Sequence, residues 1–393
     1  MHSSSKIGES HLANEKFHKL QYFILTCYMI ETKESKVQTS SIFAKMLGQS
    51  HQKVMFCSDE GTGLKAIIAI HDTTLGPAVG GTRMWTYRSE EEALEDVLRL
   101  SRGMTYKAAI SGINLGGGCA VIIGNSRQDK SEALLRRYAR FINSLNGEFI
   151  TGEDLGTNPR DMEYIHMETK HVVGIPESLG GSGDPTPITA YGVFMGMKAS
   201  AKELWGNDNL AGKAVVVQGV GHVGEALVKL LKEQNAKVYV SDLDEERLIA
   251  VSKKYDAKPM ANNHVYDLDL DIYAPCAMGA TLNTETISKL KCAIIAGSAN
   301  NQLEDEEVHG KMLLEKGILY APDFLINAGG LINVYSEIAG YNKKRALQLT
   351  EKIYDVTREI FKKSRNEQIP THEAAHRIAR KRIEDIRKIK ASY

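Results

Sequence analysis

The sequence predicts an α/β protein of two domains, the second built on a parallel sheet wound with helices. Three observations carry that expectation. From Lys213 the chain alternates apolar strand, amphipathic helix and apolar strand, as KAVVVQGVG, EALVKLLKEQ and AKVYVSD. Well before that, VMFCSDEGTGLKAIIAIHD reads as two strands around an Asp-Glu-Gly-Thr-Gly turn, a hairpin signal. Between these regions, Gly174 to Val193 concentrates glycine and three prolines, as expected of a connection between domains.

Taken in order, residues 1–40 are an extension with no fold assigned. Its most apolar run, Tyr22 to Ile30, is far short of the roughly 20 residues a membrane helix needs, and no small-residue cleavage site follows it. The first domain is expected over residues 41–180, rejoined by a C-terminal helix over 366–393, and the second over 181–365. In SEEEALEDVLRLSRGMTYKAA, Ala93, Val97 and Leu98 recur at helical intervals, Ser89 serves as N-cap, and acidic residues fill the first turn. That helix delivers Lys107 near its C-terminal end. In INLGGGCAVIIG, Ile113 to Gly124, three glycines ask for a tight turn or the close approach of another segment, and the apolar run after them reads as a strand. The charged, amphipathic stretch from Arg345 is broken at Pro370 and reads as two helices.

Composition narrows the partners. The 393 residues are 42% hydrophobic and 25% charged, the balance of a globular chain that can bury a core. Lys+Arg and Asp+Glu both number 49, so no basic field exists to drive binding to nucleic acid or to an anionic membrane, and a small molecule is the expected partner. The five cysteines, Cys27, Cys57, Cys119, Cys276 and Cys292, are scattered and form no CxxC pair. They argue against a disulfide framework or a metal site and fit a reducing cytoplasm.

Gly219-Val220-Gly221-His222-Val223-Gly224 matches GxGxxG, and its context gives the match weight. An apolar strand precedes it, a helical pattern follows, and Asp242 ends the next strand, which is the arrangement of a Rossmann dinucleotide site. The glycines would let backbone and helix N-terminus approach a pyrophosphate, and the carboxylate would accept from the ribose hydroxyls. A carboxylate there repels a 2′-phosphate, so NAD is expected over NADP. Asp244 and Glu245 stand close by as competing acids.

A nicotinamide enzyme needs a second region to hold its substrate. The N-terminal half offers GPAVGGTRMW, RGMTYK, LGGGC and TGEDLGT, each mixing glycine-rich backbone with a charged or small polar residue. With GSGDPTPITAYGV, YAPCAMGATLN, AGSANNQL and YAPDFLINAGGLINV, these motifs resemble the glutamate/leucine/phenylalanine/valine dehydrogenases from about Ser41 to near the end, the leucine dehydrogenases most of all. The resemblance implies a cleft between two domains, hydride transfer from an amino acid to NAD, release of the 2-oxo acid and ammonia, and a homo-oligomer. It implies that Lys107 pairs with the substrate α-carboxylate and that Asp154 exchanges protons with the amino group. Thr189, Asn300 and Asn301 would surround the nicotinamide. Gly80, Gly81 and Met84, with the segment from Leu325 to Val334, would shape the side-chain pocket.

Two positions depart from the family's pattern. Relatives that act on glutamate resemble GPxKGG, where the lysine meets a second carboxylate. Val79 stands there instead and leaves nothing to neutralise one. A branched aliphatic substrate is the expectation, leucine first, with valine, isoleucine and phenylalanine open. The second departure is Cys119, twelve residues after Lys107, where the family has the lysine of LGGGK. That lysine is thought to act as general base on water attacking the imine. A thiol reaches less far and carries no positive charge. Cys119 is either a thiolate helped by Lys107 or a small buried hydrophobe. The readings left open are an active leucine dehydrogenase, an NAD- and amino-acid-binding protein disabled at one residue, and an otherwise ordinary enzyme with an accidental change.

Overall fold

The computed structural model describes residues 41–391, so the expectations for the extension lie outside the described residues. The chain divides into two units after Ser50. Of the first, Ile42–Gly48 forms a short helix (α1), whose N-cap Ser41 accepts the Ala44 N–H through its hydroxyl.

The second unit opens with the expected hairpin, Lys53–Asp59 (β1) and Leu64–Asp72 (β2), paired antiparallel. Ala78–Trp85 (β3), Glu90–Ile110 (α2), Gly116–Ile123 (β4), Glu132–Ser144 (α3) and Phe149–Glu153 (β5) follow. They complete a five-stranded sheet of order β1-β2-β4-β3-β5, in which β4, β3 and β5 run parallel. Ser89 caps α2 as expected, and three glutamates occupy its first turn, where they complement the helix dipole. Pro159–His166 (α4) leads into the glycine- and proline-rich connection.

That connection ends sooner than the sequence suggests. A helix, Thr186–Trp205 (α5), begins inside it, with Pro187 in the first turn, where a missing N–H costs no hydrogen bond. Then come Ala214–Gln218 (β6), His222–Glu233 (α6), Lys237–Ser241 (β7), Glu245–Tyr255 (α7), Lys258–Pro259 (β8), Ile272–Pro275 (β9), Thr284–Lys289 (α8), Ile294–Ile295 (β10), Glu306–Lys316 (α9) and Leu319–Tyr320 (β11). The six strands form an all-parallel sheet of order β11-β10-β9-β6-β7-β8. The strand order reverses between β6 and β9, and in such sheets the crevice beyond the strands' carboxyl ends at that point is where ligands bind.

Asp323–Ile326 (α10), Gly329–Ile338 (α11), Lys343–Glu367 (α12) and Thr371–Ala391 (α13) finish the chain, with Pro370 separating the last two as expected. Helix α13 returns to the first sheet's side. Arg382 donates to the carbonyls of Ala109 and Ile113, each at 2.9 Å, and to Asn114 Oδ1 at 2.8 Å, and Arg387 pairs with Asp72. The end of α2 just beyond Lys107 is therefore capped by a side chain from the far end of the sequence. Among the described residues no helix is long and apolar enough to cross a membrane.

Candidate functional site

The glycines of β4 answer the question they raise. None lies in a turn. A Cβ at Gly117 would stand 2.2 Å from Thr105 N, one at Gly118 2.8 Å from the Phe149 ring, and one at Gly80 1.6 Å from Gly118 O. The missing side chains bring β4 against β3 and against α2, the helix that carries Lys107. Their outcome is a cavity of about 410 Å³ opening beside Gly80, Gly81, Lys107, Cys119 and Asp154.

Lys107 is half-buried in the last turn of α2, and desolvation there depresses its pKa to about 8, with Asp323 and Asp154 opposing that shift. At neutral pH the ammonium survives, in a site with few other cations. Cys119 is 3% exposed and faces the same cavity. Burial first, and Asp154 second, push its thiol far above the usual cysteine range, so the sulfur is a neutral S–H across the physiological range.

Asp154 follows β5 in a tight turn. Its N–H donates to Thr157 Oγ1 at 2.9 Å, and the Met84 N–H donates to Leu155 O at 2.9 Å, so the turn is fastened to β3. Gly156 takes φ +83° there, and a Cβ would strike Met84 O at 2.1 Å. Arg83, also on β3, donates from Nε to Asp154 Oδ2 at 3.2 Å and from Nη1 to Asp96 Oδ2 at 2.8 Å.

Across the cavity stand Asn300, Asn301, Leu331 and Val334. Asn301 adopts φ 51°, in the left-handed region, and Asn300 Oδ1 accepts from Asn327 Nδ2 at 2.7 Å. Thr189 donates to Pro185 O, and its hydroxyl lies behind Gly330, which lines the cavity. Two ionisable side chains on this wall are not singled out by the sequence. Asp323, at the start of α10 and 7% exposed, accepts the Gln302 and Phe324 N–H groups at 2.9 and 2.7 Å. Burial raises its pKa, while those N–H groups and Lys107 oppose that. His376 of α13 stacks on Phe324 and meets Glu306 Oε2 at 3.3 Å. Asp323 lies within the YAPDFLINAGGLINV motif, which could have marked it, whereas His376 has no local pattern to do so.

Met84 is a correction. Along β3, Val79, Gly81 and Arg83 face the cavity, so the pleat turns Met84 to the opposite face, where it is fully buried in a cluster with Ile122 and Tyr138. Of the segment from Leu325 to Val334, Leu325 and Ile326 are core, while Gly330, Leu331 and Val334 reach the cavity.

The GxGxxG run lies at the switch point of the second sheet. Gly219 has φ +94°, and a Cβ there would sit 2.6 Å from Ala277. A Cβ at Gly224 would meet Gly219 O at 2.0 Å. Gly221, the N-cap of α6, has nothing within 4 Å of its absent Cβ, so open space lies over the helix N-terminus that His222 and Val223 begin. Asp242 accepts the Val220 N–H at 2.8 Å and lies 3.8 Å from Arg247. Asp244, the rival acid, instead caps α7 by accepting the Arg247 N–H. Among the described residues no cluster of His, Cys, Asp and Glu could hold a metal ion.

Comparison with known proteins bears on the family and the fold. Residues 50–171 match the family model "Glu/Leu/Phe/Val dehydrogenase, dimerisation domain", and residues 180–246 and 240–390 match "Glutamate/Leucine/Phenylalanine/Valine dehydrogenase". A leucine dehydrogenase of Thermoactinomyces intermedius is 53% identical over 90% of this chain and 96% of its own length. A phenylalanine dehydrogenase of the same organism is 48% identical over 88% and 96%. The crystal structure of L-tryptophan dehydrogenase from Nostoc punctiforme superimposes with a TM-score of 0.79 at 47% identity, covering 88% of this chain and 99% of that one.

Proposed function

The chain belongs to the glutamate/leucine/phenylalanine/valine dehydrogenase family of amino-acid dehydrogenases, and from that premise we propose that it oxidises L-leucine and other branched-chain amino acids with NAD, at a turnover lowered by Cys119. The observation that carries the reading is the cavity that holds Lys107 and Asp154 against an apolar wall of Val79, Leu331 and Val334. Lys107 pairs with the α-carboxylate, and Asp154 takes a proton from the α-ammonium. The apolar wall receives the aliphatic side chain and offers no partner for a second carboxylate.

The open face over Gly221 and the acid at Asp242 fit a dinucleotide with an unphosphorylated ribose; Asn300 and Asn301 line the cavity its nicotinamide end would reach, and Thr189 backs it behind Gly330. NAD supplies the hydride acceptor. With it the balance is amino acid, NAD and water giving 2-oxo acid, NADH, ammonium and a proton. Water attack on the imine needs a base, and the neutral Cys119 thiol is a poor one. In this reading residues 41–180 with 366–393 hold the substrate, residues 181–365 hold the cofactor, and the chain assembles with copies of itself.

The test is NADH formation by the unaltered chain and by Cys119→Lys across leucine, valine, isoleucine, phenylalanine and tryptophan. Cys119→Lys is expected to turn over about 10²–10⁴ times faster, the usual worth of a positioned acid–base group, with leucine preferred. Equal rates would mean that another group serves as base. Preference for an aromatic substrate would overturn the choice of leucine, and tight binding without turnover in the unaltered chain would favour a binding role.

A further inference from the structure

Arg83 sits between two carboxylates and between three elements. Its side chain is 19% exposed, and it uses separate nitrogens for separate partners, Nε for Asp154 and Nη1 for Asp96. Asp96, on α2, is itself held from other sides. Tyr87 Oη donates to its Oδ2 at 2.7 Å and Arg99 to its Oδ1 at 2.9 Å. With Asp96 fixed, the guanidinium plane is fixed, and the direction in which Nε–H points is fixed with it.

What that direction does is visible at Asp154. The backbone of its turn is already fastened through Thr157 and Leu155, which leaves side-chain rotation as its remaining freedom. Arg83 engages Oδ2 alone, and among the described residues no hydrogen bond to Oδ1 is formed. Asp154 lines the same cavity as Lys107.

We propose that Arg83 is a positioning residue for the reaction, which orients Asp154 by one oxygen and keeps the other for the substrate's amino group. This rests on the reading of Asp154 as the group that exchanges protons with that amine. Asp96 is the anchor of the arrangement and ties the orientation of Asp154 to the helix that delivers Lys107. The two groups that would grip the amino acid, one by its carboxylate and one by its amine, are thereby set by one rigid piece. The charged and titratable groups facing Asp154 are Arg83 from β3, Tyr87 just after it, Lys107 from α2, Cys119 from β4 and the neighbouring Glu153. Removing the guanidinium takes away the cation that is hydrogen-bonded to Asp154.

The experiment compares Arg83→Ala, Arg83→Lys and Asp154→Asn, each in the unaltered and the Cys119→Lys chain. Steady-state rates are followed, and so are thermal stability and the fluorescence-detected binding of L-leucine to the NADH-loaded protein, which needs no turnover. Arg83→Ala is expected to lower kcat about 10²-fold, the cost of a misplaced reacting group, while NADH binds unchanged. The loss should fall on kcat more than on KM, and adding Arg83→Ala to Asp154→Asn, where no carboxylate is left to orient, should lower kcat no further. Arg83→Lys keeps a charge but cannot reach both carboxylates, so it should recover only part of kcat. A purely structural Arg83 would lower thermal stability and cut kcat equally with or without Asp154, and that result overturns the proposal. Should Arg83→Ala fail to bind NADH, Arg83→Lys decides: unchanged kcat overturns the proposal, and a lowered kcat with NADH affinity and thermal stability intact supports it. If Asp154→Asn keeps full rate and leucine affinity, the reading of Asp154 itself is wrong, whatever Arg83 does.

Discussion

Gly116–Gly118 in β4 and the glycines of the run Gly219–Gly224 beyond β6 both flank an apolar strand, and they use the missing side chain in opposite ways. In β4 every absent Cβ is already overrun by protein: Asp72 O at 2.1 Å from Gly116, Thr105 N at 2.2 Å from Gly117, the Phe149 ring at 2.8 Å from Gly118. Beyond β6, Gly219 and Gly224 are crowded in the same manner, but Gly221 between them looks onto empty space at the N-terminus of a helix. One run is consumed in packing two strands and a helix so that Lys107 and Cys119 share a cavity. The other keeps one face open at a helix N-terminus. The same residue type serves close packing in one region and access to backbone N–H groups in the other.

The most severe way to break this comparison is Gly117→Ala. Its new methyl meets backbone atoms of α2, which cannot swing aside as a side chain could. The expected cost is about 3 kcal/mol, the upper part of the range for overpacking, read as a fall in thermal midpoint. Gly221→Ala is the counterpart. The residue has φ −65°, which alanine adopts freely, so the thermal midpoint of the protein without ligand should stay put while NADH affinity falls by about 10- to 100-fold. A Gly221→Ala chain that binds NADH normally would refute the distinction. The smallest effect sharpens what the β4 glycines achieve. Because Lys107 has a pKa of about 8, it is charged below that pH and neutral above it. Binding of a 2-oxo acid, whose carboxylate does not titrate there, should be level up to about pH 7.5. Above pH 8 it should weaken toward tenfold per unit in competition titrations.

The two regions also differ in how far the sequence reveals them. The second sheet's site is local: strand, GxGxxG, helix and Asp242 lie within one stretch, and short-range rules suffice to read them. The cavity of the first sheet was legible only in pieces. Lys107 could be placed on its helix and Asp154 in its turn, but the salt bridge that joins Arg83 to Asp154 spans 71 residues and has no periodic signature. Asp323 is further still from Lys107 along the chain. Membership in the GPAVGGTRMW motif points Met84 to the pocket, but strand alternation puts it on the face opposite Arg83. The start of α5 was hidden by Pro185 and Pro187, which look like connection but sit in and before a helix's first turn.

Arg382 ties remote parts of the chain together. The carbonyls at the end of the Lys107 helix find their partner in a side chain 273 and 269 residues further along. That end of α2 therefore has its full set of bonds only when α13 has docked, a loop closure whose entropy cost grows with the length of chain between them. Loosening α13 alone would reach the cavity through the seat of Lys107 without disturbing a strand of either sheet.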